Sequence, residues 1–208
     1  IIADVAGKSA SNLQQVWTLY SEVLDYFDQG MKVPDDVIIV LCDNNWGDVR
    51  RLPELGGKKH PGGYGMYYHV AYYGAPRASK WLNITQIQQM WEQLHLTYEY
   101  GVDKIWMLNV GDLKPNEYPL DFFMNMAWNP EAFNVNNLES YSQKFCAQQF
   151  GEAYAAEAAR ILNTYCKYAS RVFPEMLDSK TFNLETGEFK LAKSELMELE
   201  ARALRQFL

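Results

Sequence analysis

Four short apolar runs in this chain each end in a cluster of polar side chains capable of chemistry. Residues 13–19 (LQQVWTL) lead into Tyr20-Ser21-Glu22, and 37–41 (VIIVL) into Asp43-Asn44-Asn45-Trp46. Residues 65–68 (GMYY) lead into His69 with Tyr72 beyond, and 104–108 (KIWML) into Asn109-Val110-Gly111-Asp112. Runs rich in β-branched and aromatic residues, bounded by polar or Gly/Pro clusters, read as strands. Polar groups repeated at the same end of successive strands are how a (β/α)₈ barrel builds an active site. The pattern predicts an enzyme, and only part of its barrel.

Helical patterns separate the runs. One is expected from about Ser21 to Gln29 with Gly30 as its stop, one from about Thr85 to Tyr100 ending at Gly101, and a short one from Pro119 to Trp128. A long loop rich in Gly, Pro and charge spans 43–63, and loops of that length in a compact domain are usually functional. The alternation of strands and helices argues for a parallel sheet. After Asn129-Pro130 the character changes. Residues 138–173 carry Ala, Glu, Gln and Leu at helical spacing with a break at Phe150-Gly151, and 190–208 read as a charged amphipathic helix. Eight barrel strands take about 250 residues. Four strands therefore predict an α/β chain holding the C-terminal half of a (β/α)₈ barrel in residues 1–130. The start of an all-helical domain follows in 131–208. A self-sufficient open α/β domain of four strands is the rival.

The net charge of −7 argues against nucleic acid or an anionic membrane surface as partner. No stretch approaches the roughly 20 apolar residues of a membrane helix. Cys42, Cys146 and Cys166 are odd in number and fit neither a disulfide framework nor a zinc motif. No signal-peptide pattern is visible, and a chain beginning Ile-Ile-Ala without an initiator Met gives that no weight. Aromatics make up 14% of the chain; in a cleft they stack on sugar rings, otherwise they fill a core.

Glu22, one turn past its strand, either points into the barrel mouth or serves as a first-turn carboxylate favoured by the helix dipole. Asp43 beside Asn44 and Asn45 can orient water and hold sugar hydroxyls, or form an Asx turn. Arg50 and Arg51 match a substrate carboxylate through bidentate bonds, or pair with local acids such as Glu54. Gly62 to Gly65 suggest a flexible loop running into an aromatic strand. Alternation puts Tyr67 and His69 on one face and Tyr68 on the other. Tyr72 can hydrogen-bond substrate. Asn109 and Asp112 can reach the mouth, and Lys114 and Glu117 can reach it or pair with each other. No dinucleotide fingerprint, P-loop, H-E-x-x-H or nucleophile elbow is present. Carboxylates, amides, one His and Tyr suit glycoside hydrolysis by two carboxylates better than acyl or phosphoryl transfer.

These residues resemble a known family. Gln15-Val16-Trp17, Glu22-Val23, Val33-Pro34-Asp35-Asp36-Val37, Asp43 to Gly47, Arg50-Arg51-Leu52-Pro53, Gly62-Gly63 to His69, Tyr72, and Asn109 through Pro115 look like glycoside hydrolase family 115, over about residues 12 to 175. The resemblance extends to Trp128-Asn129-Pro130 and the helices after it. These are xylan α-1,2-glucuronidases. The resemblance implies removal of α-1,2-linked glucuronic or 4-O-methylglucuronic acid from glucuronoxylan, with inversion and without metal or organic cofactor. It implies site roles for Glu22, Asp43, Asn45, His69, Tyr72 and Asn109, with Arg50 and Asp112 joining from the reading above. The sequence departs at Asn44, where an acid is frequent, and at Trp46, where Tyr is frequent. A polysaccharide substrate points to the periplasm or the cell exterior. Oligomerisation through sequence outside this chain stays open. The rival functions are a carbohydrate-binding module without catalysis and an interaction protein acting through the charged helix at 190–208.

Overall fold

The structure, a computed structural model, describes residues 1–44, 46–72, 82–172 and 176–207, with the last two of these by backbone alone. Strands β1 (Gln15–Thr18), β2 (Val37–Cys42), β3 (Tyr64–His69) and β4 (Trp106–Asn109) form one sheet. Its order is β1-β2-β3-β4, and every neighbouring pair is parallel. Each strand therefore lies beside its sequence neighbour without reversal. That is the order of an arc of a (β/α) barrel, whereas a doubly wound sheet reverses at a switch point.

The helices are α1 (Ile2–Ala6), α2 (Glu22–Asp28), α3 (Ile87–Glu99), α4 (Glu117–Trp128), α5 (Leu138–Phe150), α6 (Ala155–Ala169) and α7 (Glu188–Phe207). Helix α1 carried no pattern legible in the sequence. Among the described residues after Asn109, every regular element is helical. No helix among them is long and apolar enough to cross a membrane. The chain divides into two compact units: Ile1–His69 with Glu92–Asn109, and Val70–Trp91 with Val110–Leu208.

In the first unit β2 is apolar throughout and nearly all buried, as expected for a central parallel strand covered on both faces. Ile39, Val40, Leu41, Met66, Tyr68 and Leu94 form much of its core. The ladder explains the strand ends. β3 was expected to run to Tyr72 but stops at His69, which pairs with Asn109, the last residue of β4. β4 begins formally at Trp106, yet Lys104 N–H donates to the Tyr64 carbonyl at 2.9 Å, so pairing reaches the expected start.

The glycines around the start of β3 are packed closely against neighbouring chain segments. A Cβ on Gly62 would sit 2.3 Å from the Val37 carbonyl oxygen, and one on Gly65 would sit 2.5 Å from Ile105 Cγ2. They allow close approach of backbones at the base of the sheet. His60 supports the same corner, its Nε2 lying 2.7 Å from the Val37 carbonyl. Helix α3 ends as its sequence suggested. Val102 N–H donates to Thr97 O at 3.2 Å and Gly101 N–H to Tyr98 O at 2.8 Å, with Gly101 at φ 79°. That pair of hydrogen bonds is a Schellman cap, and Val102 beneath it is fully buried.

In the second unit, α5 ends at Phe150 because Gly151 leaves the helix at φ 87°. Cys146 of α5 packs on Ala158 and Ala159 of α6, small side chains that let the two axes approach. A closed polar triangle joins three helices. Tyr118 of α4 donates to Asn163 Oδ1 of α6 at 3.0 Å. Asn163 Nδ2 donates to Ser142 Oγ of α5 at 3.1 Å. Ser142 Oγ lies 2.6 Å from the Tyr118 hydroxyl.

Candidate active site

The site grows from the carboxyl ends of β2 and β3. Asp43 follows β2 directly. Its N–H continues the ladder to the Tyr67 carbonyl at 3.4 Å. The next parallel bond would run from His69 N–H to the Asp43 carbonyl. The carboxylate takes that place: Oδ2 accepts from His69 N–H at 3.3 Å. The other oxygen, Oδ1, lies 2.5 Å from His69 Nδ1. One buried carboxylate thus grips both the backbone and the ring of His69. A carboxylate only accepts, so the Nδ1 proton stays on the imidazole, which fixes its tautomer and tilt. The Asp43 side chain is 0% exposed and that of His69 8%.

Aromatic rings frame the imidazole. Tyr67 lies 4.4 Å from His69 between ring centroids, and Tyr20, just past β1, lies 5.6 Å from it. Asn109, at the end of β4, donates to the Tyr67 hydroxyl at 2.9 Å. The Tyr20 hydroxyl is pushed above its ordinary pKa, first by burial and then by the negative charge of Asp43. Glu22 adds to the same effect, so its charge is felt at Tyr20. Glu22 itself is exposed. Its own backbone N–H, and next Ser21, hold its carboxyl below the usual range, so it is ionised near neutrality. Ser21 between Tyr20 and Glu22 has φ 53°, a left-handed conformation rare for a residue with a Cβ. The Cys42 thiol beneath Asp43 is pushed up to about 12 by burial and then by Asp43, which makes it inert.

The structure brings together Asp43, His69 and Asn109, with Tyr67 and Tyr20 between them and the charge of Glu22 in range. Asn45 lies outside the described residues. Tyr72 belongs to the second unit, where it is buried against Ile84. Asp112 is exposed in that unit, and its carbonyl accepts from Asn116 Nδ2 at 3.1 Å. Arg50 is exposed, while Arg51 pairs with Asp28 at 3.5 Å rather than with Glu54. Lys114 pairs with Glu117 at 3.1 Å. Asn44 forms the Asx turn, its Oδ1 accepting from Trp46 N–H at 2.7 Å and Asp48 N–H at 3.0 Å. Tyr67 and Tyr20 had been assigned no role. The signal for Tyr67 was present, since alternation puts it on the face of His69. Among the described residues no group of three or more His, Cys, Asp or Glu could hold a metal ion.

A parallel α/β sheet in barrel order, with carboxylate, imidazole, amide and phenol groups at the carboxyl ends of its strands, defines the class: barrel-type proteins with a strand-end site. The particular family follows from comparison. The model of glycosyl hydrolase family 115 matches residues 1–176, and the chain belongs to that family. A solved family 115 4-O-methyl-α-glucuronidase with specificity for decorated arabinogalactans is similar in structure, with a TM-score of 0.81 and 29% identity. The match covers 98% of this chain and 30% of that one, so the chain spans under a third of the length of the solved protein. No curated protein matches the chain.

Proposed function

We propose that the protein to which this chain belongs is an inverting glycoside hydrolase. It releases α-1,2-linked glucuronic or 4-O-methylglucuronic acid from glucuronoxylan by chemistry that uses two carboxylates, Glu22 directly and Asp43 through His69. The observation that carries the reading is the buried Asp43–His69 pair at the strand ends, with the ionised Glu22 beside Tyr20. A module that only binds sugar has little use for a desolvated carboxylate whose two oxygens both hold one imidazole. In this reading Glu22 is the carboxylate that meets substrate and water. Asp43 is a positioning residue that sets His69, and proton exchange with the sugar runs through His69 Nε2. Asn109 sets Tyr67 against the imidazole. Asn45, Tyr72, Arg50 and Asp112 are proposed sugar contacts. A helical domain is proposed to follow the barrel from about residue 131.

The solved relative acts on decorated arabinogalactans, which favours a second reading of the polymer backbone with the same sugar removed. The test is to incubate the complete enzyme with glucuronoxylan and with glucuronic-acid-decorated arabinogalactan. Released uronic acid is measured, and the anomer first formed is read by NMR. Release from xylan with inversion supports the first reading. Release from arabinogalactan alone selects the second, and release from neither refutes both.

A further inference from the structure

The second unit holds a polar cleft of about 450 Å³, within the size range of small-ligand sites. Asp121 and Asn125 of α4 line it, as do Tyr141, Lys144 and Gln148 of α5 and Phe133 from the segment between the helices. The spacings i, i+4 and i, i+3, i+7 put each set on one face of its helix.

The lining is fixed in advance. The Tyr141 hydroxyl donates to Asp121 Oδ2. Burial and then that bond push the phenol above its ordinary pKa, so it stays protonated. The Phe133 ring packs edge-on against Phe122 at 5.2 Å and Tyr141 at 5.6 Å between centroids. Asn137 holds the chain on either side of Phe133. Its Nδ2 donates to the Ala132 carbonyl at 2.8 Å, and its Oδ1 accepts from Asn134 N–H at 2.9 Å. Among the described residues, the Lys144 ammonium and the Gln148 amide have no hydrogen-bond or ion-pair partner.

One turn beyond Asn125 on α4 stands Trp128, 92% exposed and without a ring or hydrogen-bond partner among the described residues. Tryptophan is a well-buried side chain on average, and an indole this bare contributes little to the fold of its unit. The hydroxyls of a pyranose need donors and acceptors, its C–H face a flat apolar surface, and a uronic carboxylate a cation. Cleft and indole supply all three, and a preformed lining costs little to order when sugar binds.

We propose that the cleft and Trp128 form a second polysaccharide-binding site, built from none of the residues assigned to the candidate active site. Trp128 stacks on a sugar ring, Lys144 pairs with a uronic carboxylate, and Asp121 with Gln148 takes hydroxyls. This rests on the glycosidase reading above, which makes an acidic polysaccharide the substrate.

The test runs the complete enzyme in native gels containing glucuronoxylan or glucuronic-acid-decorated arabinogalactan. Rates are measured on the retarding polymer and on a short uronic-acid-bearing oligosaccharide cut from it. Trp128→Ala and Lys144→Gln should each weaken retention, and raise KM on the polymer, by about three- to tenfold. Rates on the short oligosaccharide should stay within about twofold of wild type. Trp128→Phe keeps an aromatic face and should recover most of the retention. Melting should not move, because both side chains are exposed. A wild type that neither polymer retards, or full retention in both variants, would overturn the proposal. So would equal loss on polymer and oligosaccharide, or a Trp128→Ala melt several degrees lower, the mark of a packing role. A wild type that releases no uronic acid sinks the glycosidase reading, and retention alone then decides the second site.

Discussion

Replacing Asp43 by Asn tests the center of the site with almost no change in shape. In the native chain the carboxylate accepts from His69 Nδ1–H at 2.5 Å and from His69 N–H at 3.3 Å, both in a buried setting. An amide has one acceptor oxygen and one donor nitrogen, so one of the two His69 N–H groups must face another donor. A buried donor left unsatisfied costs about 1–3 kcal/mol, and the surviving bond loses its charge assistance, worth roughly another 1 kcal/mol. The sum of about 2–4 kcal/mol lowers the melting temperature by roughly 5–15 °C for a domain of this size. The alternative arrangement, in which Nδ1 sheds its proton to accept from the amide, relieves the clash but moves the proton to Nε2. Either way the imidazole is wrong for the proton exchange proposed for it. Uronic acid release by the complete enzyme should fall by at least about two orders of magnitude. Thermal melting, initial rates and the ¹⁵N resonances of His69 give the three readouts. A D43N enzyme that melts within a degree of wild type and keeps near-normal rates would refute the role of this pair.

Glu22→Ala should also lower release by at least about a hundredfold, yet leave melting almost unmoved, because Glu22 is exposed. Rates and a melt on the same sample check this. The three thiols are buried, with Cys42 and Cys166 pushed up to about 12 and Cys146 to about 11 by burial. A thiol reagent at pH 8 should find none of them until the chain is unfolded, when all react. Their pKa values are raised in the folded state, so the unfolded chain releases protons first as pH rises. Stability is thus retained below the ordinary thiol range near 9 and should fall between there and about 12, as denaturant melts against pH would show. Tyr118→Phe breaks the triangle with Ser142 and Asn163 and should cost about 1–3 kcal/mol of stability, seen as a lower denaturation midpoint without loss of helix.

The sheet and every helix but α1 were legible because their signals are local. β2 is apolar at every position, as only a strand covered on both faces can afford to be. The stops at Gly101 and Gly151 follow from the left-handed backbone those residues adopt. Strand lengths were less legible, because a strand ends where its neighbour ends. Nothing within residues 65–72 says that Asn109 is the last partner of His69. The close packing around Gly62 and Gly65 was missed for a related reason. A glycine that frees the chain and a glycine that lets another backbone press within contact distance look alike in sequence. The second case needs Val37 and Ile105, which stand 25 and 40 or more positions away.

The candidate site shows the same boundary more sharply. Strict alternation along β2 would put Asp43 on the side of Ile39 and Leu41, away from the face that Tyr67 shares with His69. The rule holds only while the ladder does. One residue past Cys42 the carboxylate turns into the plane of the sheet and takes the ladder bond of the neighbouring strand. That placement supports the proposal that Asp43 acts through His69 rather than meeting a sugar. The spacing of polar residues could point to one end of particular strands. It could not distinguish a carboxylate in contact with substrate from one that holds another side chain, because that depends on two oxygens, two N–H groups and the absence of water between them. Glu22, by contrast, sits in a first turn where its own N–H keeps it ionised and exposed, and that is a property its sequence neighbours already carry.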